Sequence, residues 1–159
     1  HLELFEDILY KLFLKFGNKL EFIFISDIPP AITQIPFTFL KWEKDKEIDY
    51  LLRTDIGIMP LPDSEWAKGK CGFKGIQYMS LGIPAVMSKV GMNVDLIHDG
   101  INGYLADNEI DWLEKLSKLI NSIELRIQLG NEGKKTVQQN YSYNSQKERY
   151  LQLYKDLLH

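Results

Sequence analysis

"DIGIMPLPDSEWAKGKCGFKGIQYMSLGIPAVMS" (residues 55–88) sets two short apolar runs on either side of a helix-like stretch. The first run, 55–61, is closed by proline. Residues 62–71 are polar and read as a loop. Residues 72–81 read as a helix, and Gly82, Ile83 and Pro84 lead into the second run, 83–88. Strand, helix and strand in this order, with strands apolar on both faces, define a parallel βαβ unit whose sheet is covered on two sides.

The same alternation extends in both directions. Leu2, Phe5, Leu9, Leu12, Phe13 and Phe16 recur at helical spacing, and Gly17-Asn18 stops that helix. "LEFIFIS" (20–26) and "FTFLKW" (37–42) read as strands around a loop stiffened by Pro29, Pro30 and Pro36. "KDKEIDYLLRT" (44–54) reads as a short helix with Ile48, Leu51 and Leu52 on its apolar face. After residue 88 come a short helix ("NVDLIHDG") and a fifth strand (102–106). Three helices complete the chain, the first carrying Trp112, Leu113, Leu116, Leu119 and Ile120 inward. Tyrosines 141, 143, 150 and 154 are expected to dock the last two helices, and Cys71 to pack as a small apolar group. The expected fold class is α/β, a parallel-sheet α/β/α sandwich occupying one domain, 1–159.

Composition narrows the function. The chain has 159 residues, 45% hydrophobic and 26% charged, with a formal net charge of −3. No global basic field recruits nucleic acid. No apolar run approaches the ~20 residues of a membrane span. One cysteine permits no internal disulfide and fits a reducing, cytoplasmic compartment. The chain opens without methionine, inside a helical pattern, and is expected to be a fragment of something larger.

Any anion site must therefore be local. In parallel sheets ligands lie beyond the carboxyl ends of the strands, which is where residues 40–46, 62–73 and 88–93 belong. There the helix at 72–81 begins among Gly69, Gly72 and Gly75, with Lys68, Lys70 and Lys74 around them. The first turn of a helix offers unpaired N–H groups and about half a positive charge, so a phosphate is suited to this point. Lys74 and Gln77 share one face, while Ile76, Met79 and Ile83 can face the core. Against this stands the plainer reading, three solvated lysines in an ordinary loop.

Residues 55–106, with the ordered set Lys74-x-x-Gln77-Tyr78-Met79-x-x-Gly82-x-Pro84, resemble the nucleotide-sugar-binding domain of group-1 glycosyltransferases. These are retaining enzymes of the two-domain GT-B fold. The resemblance implies a Rossmann-like C-terminal half, here lacking its first strand and the basic Arg/Lys pair near it. It implies that Lys74 and Lys70 stabilise the leaving diphosphate and that Gln77 holds the donor ribose. Gly69 stands where the family has the first glutamate of its E-x7-E motif, so that motif is degenerate at both ends. Gly69, Cys71, Gly72 and Phe73 would form the donor loop. Leu40 to Glu43, notably Lys41 and Trp42, would lie near the nucleobase, and Asp63 and Trp66 near the sugar.

The chain has no Asp-x-Asp pair, which argues for metal-free stabilisation of the leaving group, with no cofactor beyond the nucleoside-diphosphate sugar. The acceptor, a glycan or lipid-linked glycan, would come through the N-terminal domain, in polysaccharide biosynthesis. The full-length protein would be cytoplasmic or peripheral to a membrane, and the fragment alone inactive. Two rival readings stay open: a non-catalytic nucleotide-sugar sensor or interaction module, and a GT-B nucleotide-sugar epimerase.

Overall fold

The computed structural model describes residues 3–157, so the expectation for Leu2 lies outside the described residues. In chain order the described residues form eight α-helices and five strands: α1 (Glu3–Phe16), β1 (Ile23–Ser26), β2 (Thr38–Lys41), α2 (Glu47–Leu51), β3 (Gly57–Met59), α3 (Glu65–Lys68), α4 (Phe73–Ser80), β4 (Ala85–Ser88), α5 (Asn93–Leu96), β5 (Tyr104–Ala106), α6 (Glu109–Asn121), α7 (Ile123–Asn140) and α8 (Tyr143–Leu157). Every pairing is parallel. β1 pairs with β2 in the register Ile23 to Thr38, and β4 lies between β3 and β5 with Met87 opposite Met59 and Leu105.

β4 is buried throughout. Its alternation divides the core. Val86 joins Phe5, Leu9, Leu12, Trp112, Leu116 and Leu119 on the α1/α6 side. Ala85 and Met87 join Met59, Met79, Leu96 and Ile97 on the α4/α5 side. This is the expected α/β/α sandwich. Each fully buried aliphatic side chain contributes about 1.5–3 kcal/mol.

α6 and α7 begin where short polar side chains can accept an N–H. Asn108 accepts from Asp111 N–H at 3.0 Å to start α6, and Ser122 from Leu125 N–H at 3.1 Å to start α7. The proline-rich loop is tied down by the buried Glu6, whose Oε1 accepts from Thr33 and Gln34 N–H at 2.7 and 2.8 Å.

Several expectations need correction. Residues 62–71 are not all loop, because Ser64 caps the one-turn helix α3 by accepting from Ala67 N–H at 3.3 Å. On α2 only Leu51 is buried; Ile48, and Leu52 at the helix C-cap, share a face that turns to solvent, and both are exposed. Tyr141 packs against the core, but Tyr143, Tyr150 and Tyr154 are exposed on α8, a helix with no buried residue. Cys71 is exposed. The strands form two sheets, β1-β2 and β3-β4-β5, with a cleft of about 890 Å³ between β1 and β3.

Candidate functional site

The carboxyl ends of β3 and β4 are fastened together. Leu61 N–H donates to Ser88 Oγ at 2.8 Å, and buried Asn93 donates from Nδ2 to the Ser88 carbonyl at 2.9 Å. α4 starts directly above. Its N-cap is Gly72, at φ +67°, a left-handed conformation that a side chain would strain. Gly72 makes no side-chain cap, and its carbonyl accepts from Ile76 N–H at 3.2 Å. The N–H groups of Phe73, Lys74 and Gly75 therefore point out of the first turn without an intrahelical acceptor.

Two glycines set how closely α4 approaches the sheet. A Cβ on Gly75 would lie 2.5 Å from Met87 Sδ, and one on Gly57 would lie 2.4 Å from the Tyr78 ring. α4 thus lies on β4 through Gly75, and half-buried Tyr78 lies flat on β3. The Tyr78 hydroxyl reaches toward the Ile58 carbonyl at 3.5 Å. Burial pushes its phenol up to about 12, and the charge of Glu47 adds to the shift.

The cleft brings together Trp42, Gly69, Lys70, Cys71, Gly72, Phe73, Lys74 and Gln77. Lys41, Asp63 and Trp66 do not line it. Lys41 is exposed at the end of β2. Asp63 is engaged with Lys68, Oδ1 to Nζ 3.4 Å. Trp66 lies beneath Lys70, whose Nζ is 3.9 Å from the ring centre.

The three lysines are thereby unequal. Lys68 is paired with Glu65 at 2.9 Å as well as with Asp63, and the Glu65 hydrogen bond holds its ammonium above the usual lysine range. Lys70 rests on an aromatic face. Lys74 makes no hydrogen bond or ion pair among the described residues, and neither does the Gln77 amide.

On the β2 side, Trp42 Nε1 donates to Glu47 at 3.1 Å. Glu43 accepts from Lys46 at 2.9 Å and from the Tyr50 hydroxyl at 3.1 Å, and the Lys46 hydrogen bond chiefly holds its carboxyl below the usual range. This ordered turn, which sequence reasoning reached only as a vague segment, was signalled by the Glu43-x-x-Lys46 spacing.

The parallel α/β sandwich, with a basic helix start over the strand ends, is the fold of the C-terminal domain of GT-B glycosyltransferases. The sequence profile described as "Glycosyl transferases group 1" matches residues 33–136, and the chain belongs to that family.

Spore coat protein SA of Bacillus subtilis (strain 168) is 26% identical over 121 residues, 74% of this chain and 31% of that protein. The C-terminal domain of LpcC, a glycosyl transferase group 1 family protein of Francisella tularensis, superposes with a TM-score of 0.57 at 23% identity, covering 67% of this chain and 54% of that one. Anabaena Alr3699/HepE, solved with UDP, gives 0.74 at 15% identity, covering 94% of this chain and 44% of that one. The chain thus spans about a third of its curated relative and about half of the solved chains.

Among the described residues, no helix is long and apolar enough to cross a membrane, and no three His, Cys, Asp or Glu side chains gather as metal ligands.

Proposed function

We propose that this domain binds the nucleoside diphosphate of a sugar donor and serves as the donor half of a retaining glycosyltransferase. The observation that carries the reading is the meeting of the uncapped α4 N-terminus, Lys74 and Gln77 over one cleft. The diphosphate would lie on the N–H groups of residues 73–75 with Lys74 beside it. Gln77, one turn further on the same face, would accept from one ribose hydroxyl and donate to the other. Trp42 and the Glu43–Tyr50 turn would flank the base. The UDP bound to the HepE relative is consistent with this class of ligand.

In transfer, the bond from the sugar's anomeric carbon to the diphosphate oxygen breaks, and its electron pair passes to that oxygen. Charge grows there, and fixed N–H groups and an ammonium stabilise it without rearranging. No metal is needed in this scheme. The acceptor hydroxyl, which forms the new bond to the anomeric carbon and gives its proton to the departing diphosphate, would be held by the other domain. Orientation of that kind can contribute about 7–11 kcal/mol, so this domain alone is expected to bind donor and transfer nothing.

Calorimetric titration with UDP, GDP, ADP and their parent nucleosides tests the reading. One diphosphate should bind at least tenfold more tightly than its nucleoside. Equal affinities within each pair would overturn it.

A further inference from the structure

Three carboxylates line the cleft, those of Glu21, Glu47 and Asp55. Glu21 and Asp55 lie just before β1 and β3, at the amino ends of the strands, and both are engaged there. Glu21 Oε1 accepts from the Thr38 hydroxyl at 2.7 Å, and Asp55 pairs with Arg126 at 3.7 Å. Glu47 lies at the opposite edge, in the first turn of α2. Its Oε1 accepts from Nε1 of Trp42, the residue directly after β2, at 3.1 Å. Its Oε2 makes no hydrogen bond or ion pair among the described residues. The neighbouring Lys46 is taken up by Glu43 at 2.9 Å. Glu47 is half-buried, and its charge acts on the Tyr78 phenol on the β3 side, so the carboxylate faces into the cleft.

A fixed carboxylate repels the phosphates of a nucleotide. It suits such a cleft only where the ligand presents hydrogen-bond donors. Resting on the donor reading, which sets the base beside Trp42, we propose that Glu47 selects guanine, its two oxygens accepting from the base's N1–H and its exocyclic amino group.

The choice of base follows from the donors. Guanine carries two adjacent donors on its pairing edge, which match the two oxygens of a carboxylate in a charge-assisted pair. Uracil sets its N–H between two carbonyls. Adenine and cytosine set an amino group beside a bare ring nitrogen. Each of these brings an acceptor against the second carboxylate oxygen, and that contact rejects the base. The Trp42 N–H fixes Oε1, so the carboxylate meets the ligand already oriented. Glu43, four residues earlier, does not line the cleft, and its carboxyl is occupied by Lys46 and Tyr50.

Calorimetric titration of the intact protein with GDP, UDP, ADP, CDP and inosine diphosphate tests it. Inosine diphosphate lacks only the amino group of guanine. GDP should bind about tenfold or more tightly than each of the others, the worth of a hydrogen bond to a charged group. Glu47→Gln keeps an oxygen for Trp42 Nε1 but sets an amide N–H against the guanine amino group. It should abolish the preference for GDP over inosine diphosphate. That ratio is the readout, because the substitution also removes a negative charge and shifts every diphosphate alike. Equal affinity for GDP and inosine diphosphate in the natural chain, or tighter binding of UDP, ADP or CDP, would overturn the base assignment and leave the donor reading standing. So would a GDP preference that Glu47→Gln leaves unchanged. If no diphosphate binds more tightly than its nucleoside, the donor reading falls and this inference falls with it.

Discussion

Lys70 holds its ammonium 3.9 Å from the centre of the Trp66 ring, two residues after Lys68, which is neutralised by Asp63 and Glu65. The positive charge of this loop is therefore graded. Lys74→Ala should weaken nucleoside-diphosphate binding by tenfold or more, since hydrogen bonds to charged groups contribute about 1.5–3 kcal/mol. Lys70→Ala should cost less, because its ammonium must first leave a cation–π contact of about 0.5–1 kcal/mol. Lys68→Ala should change affinity by less than twofold. Calorimetry on the three variants gives the order directly, and a dominant Lys68 would contradict it.

Gln77 and Gly69 test the degenerate motif. Gln77→Ala should lose roughly threefold to tenfold in nucleoside-diphosphate affinity, the cost of one neutral hydrogen bond of about 0.5–1.5 kcal/mol. Gln77→Glu should bind at least as well as the natural chain. Gly69 is not required by backbone conformation, as its φ is −75° and an added Cβ would meet the Trp66 and Glu65 carbonyls at 3.6 and 3.9 Å, ordinary van der Waals contacts. Gly69→Glu should fold normally and tighten binding of the sugar nucleotide relative to the bare diphosphate. An unchanged ratio of the two affinities would remove the first-acid role from this position.

Gly75 is a packing requirement. Gly75→Ala would drive a methyl to 2.5 Å from Met87 Sδ and 3.0 Å from Leu96 Cδ2, both fully buried side chains. Overpacking of this kind costs about 1–3 kcal/mol, and at about 2–4 °C per kcal/mol the melting temperature should fall measurably. Gly69→Ala, with open space, is the control and should leave thermal unfolding unchanged or slightly improved.

Tyr78 gives an alkaline signature. Its phenol, pushed up to about 12, is favoured in the protonated form by folding. The stability this provides is complete below the ordinary value near pH 10 and is lost as pH rises through about 12. Over that window Tyr78 should account for about 2–3 kcal/mol. Tyr78→Phe should cost under about 1 kcal/mol at neutral pH, because its 3.5 Å hydrogen bond is at the limit of useful length. Denaturant unfolding of both chains between pH 9 and 12 should show the difference; parallel curves would contradict the assignment.

Periodicity made the alternation of strands and helices legible, because each strand is an apolar run and α1 and α6 carry regular apolar stripes. Boundaries shrank by one to three residues, as at Leu20–Phe22, because apolar character does not mark where a strand's regular pairing stops. α3 was missed although Ser64 before Glu-Trp-Ala is an N-cap signal, because one turn is too short for periodicity to show. The division into two sheets was not legible, since no local pattern reports which strands fail to meet. Glu6 was passed over because its partners, Thr33 and Gln34, are 27 and 28 residues away. At the site, the helix start and the shared face of Lys74 and Gln77 could be read from spacing, while the ribose role of Gln77 came only from the resemblance. The unequal lysines could not be read, because their neutralisation depends on where Trp66, Asp63 and Glu65 turn.

The central claim is that a diphosphate rests on the first turn of α4. Its most direct test is a backbone NMR titration of the domain with the tightest-binding nucleoside diphosphate, followed at the amides of Phe73, Lys74 and Gly75. These should show the largest shifts, move little with the parent nucleoside, and keep the same pattern but weaker binding in Lys74→Ala. Saturable binding that leaves these three amides unmoved while shifting others would contradict the account.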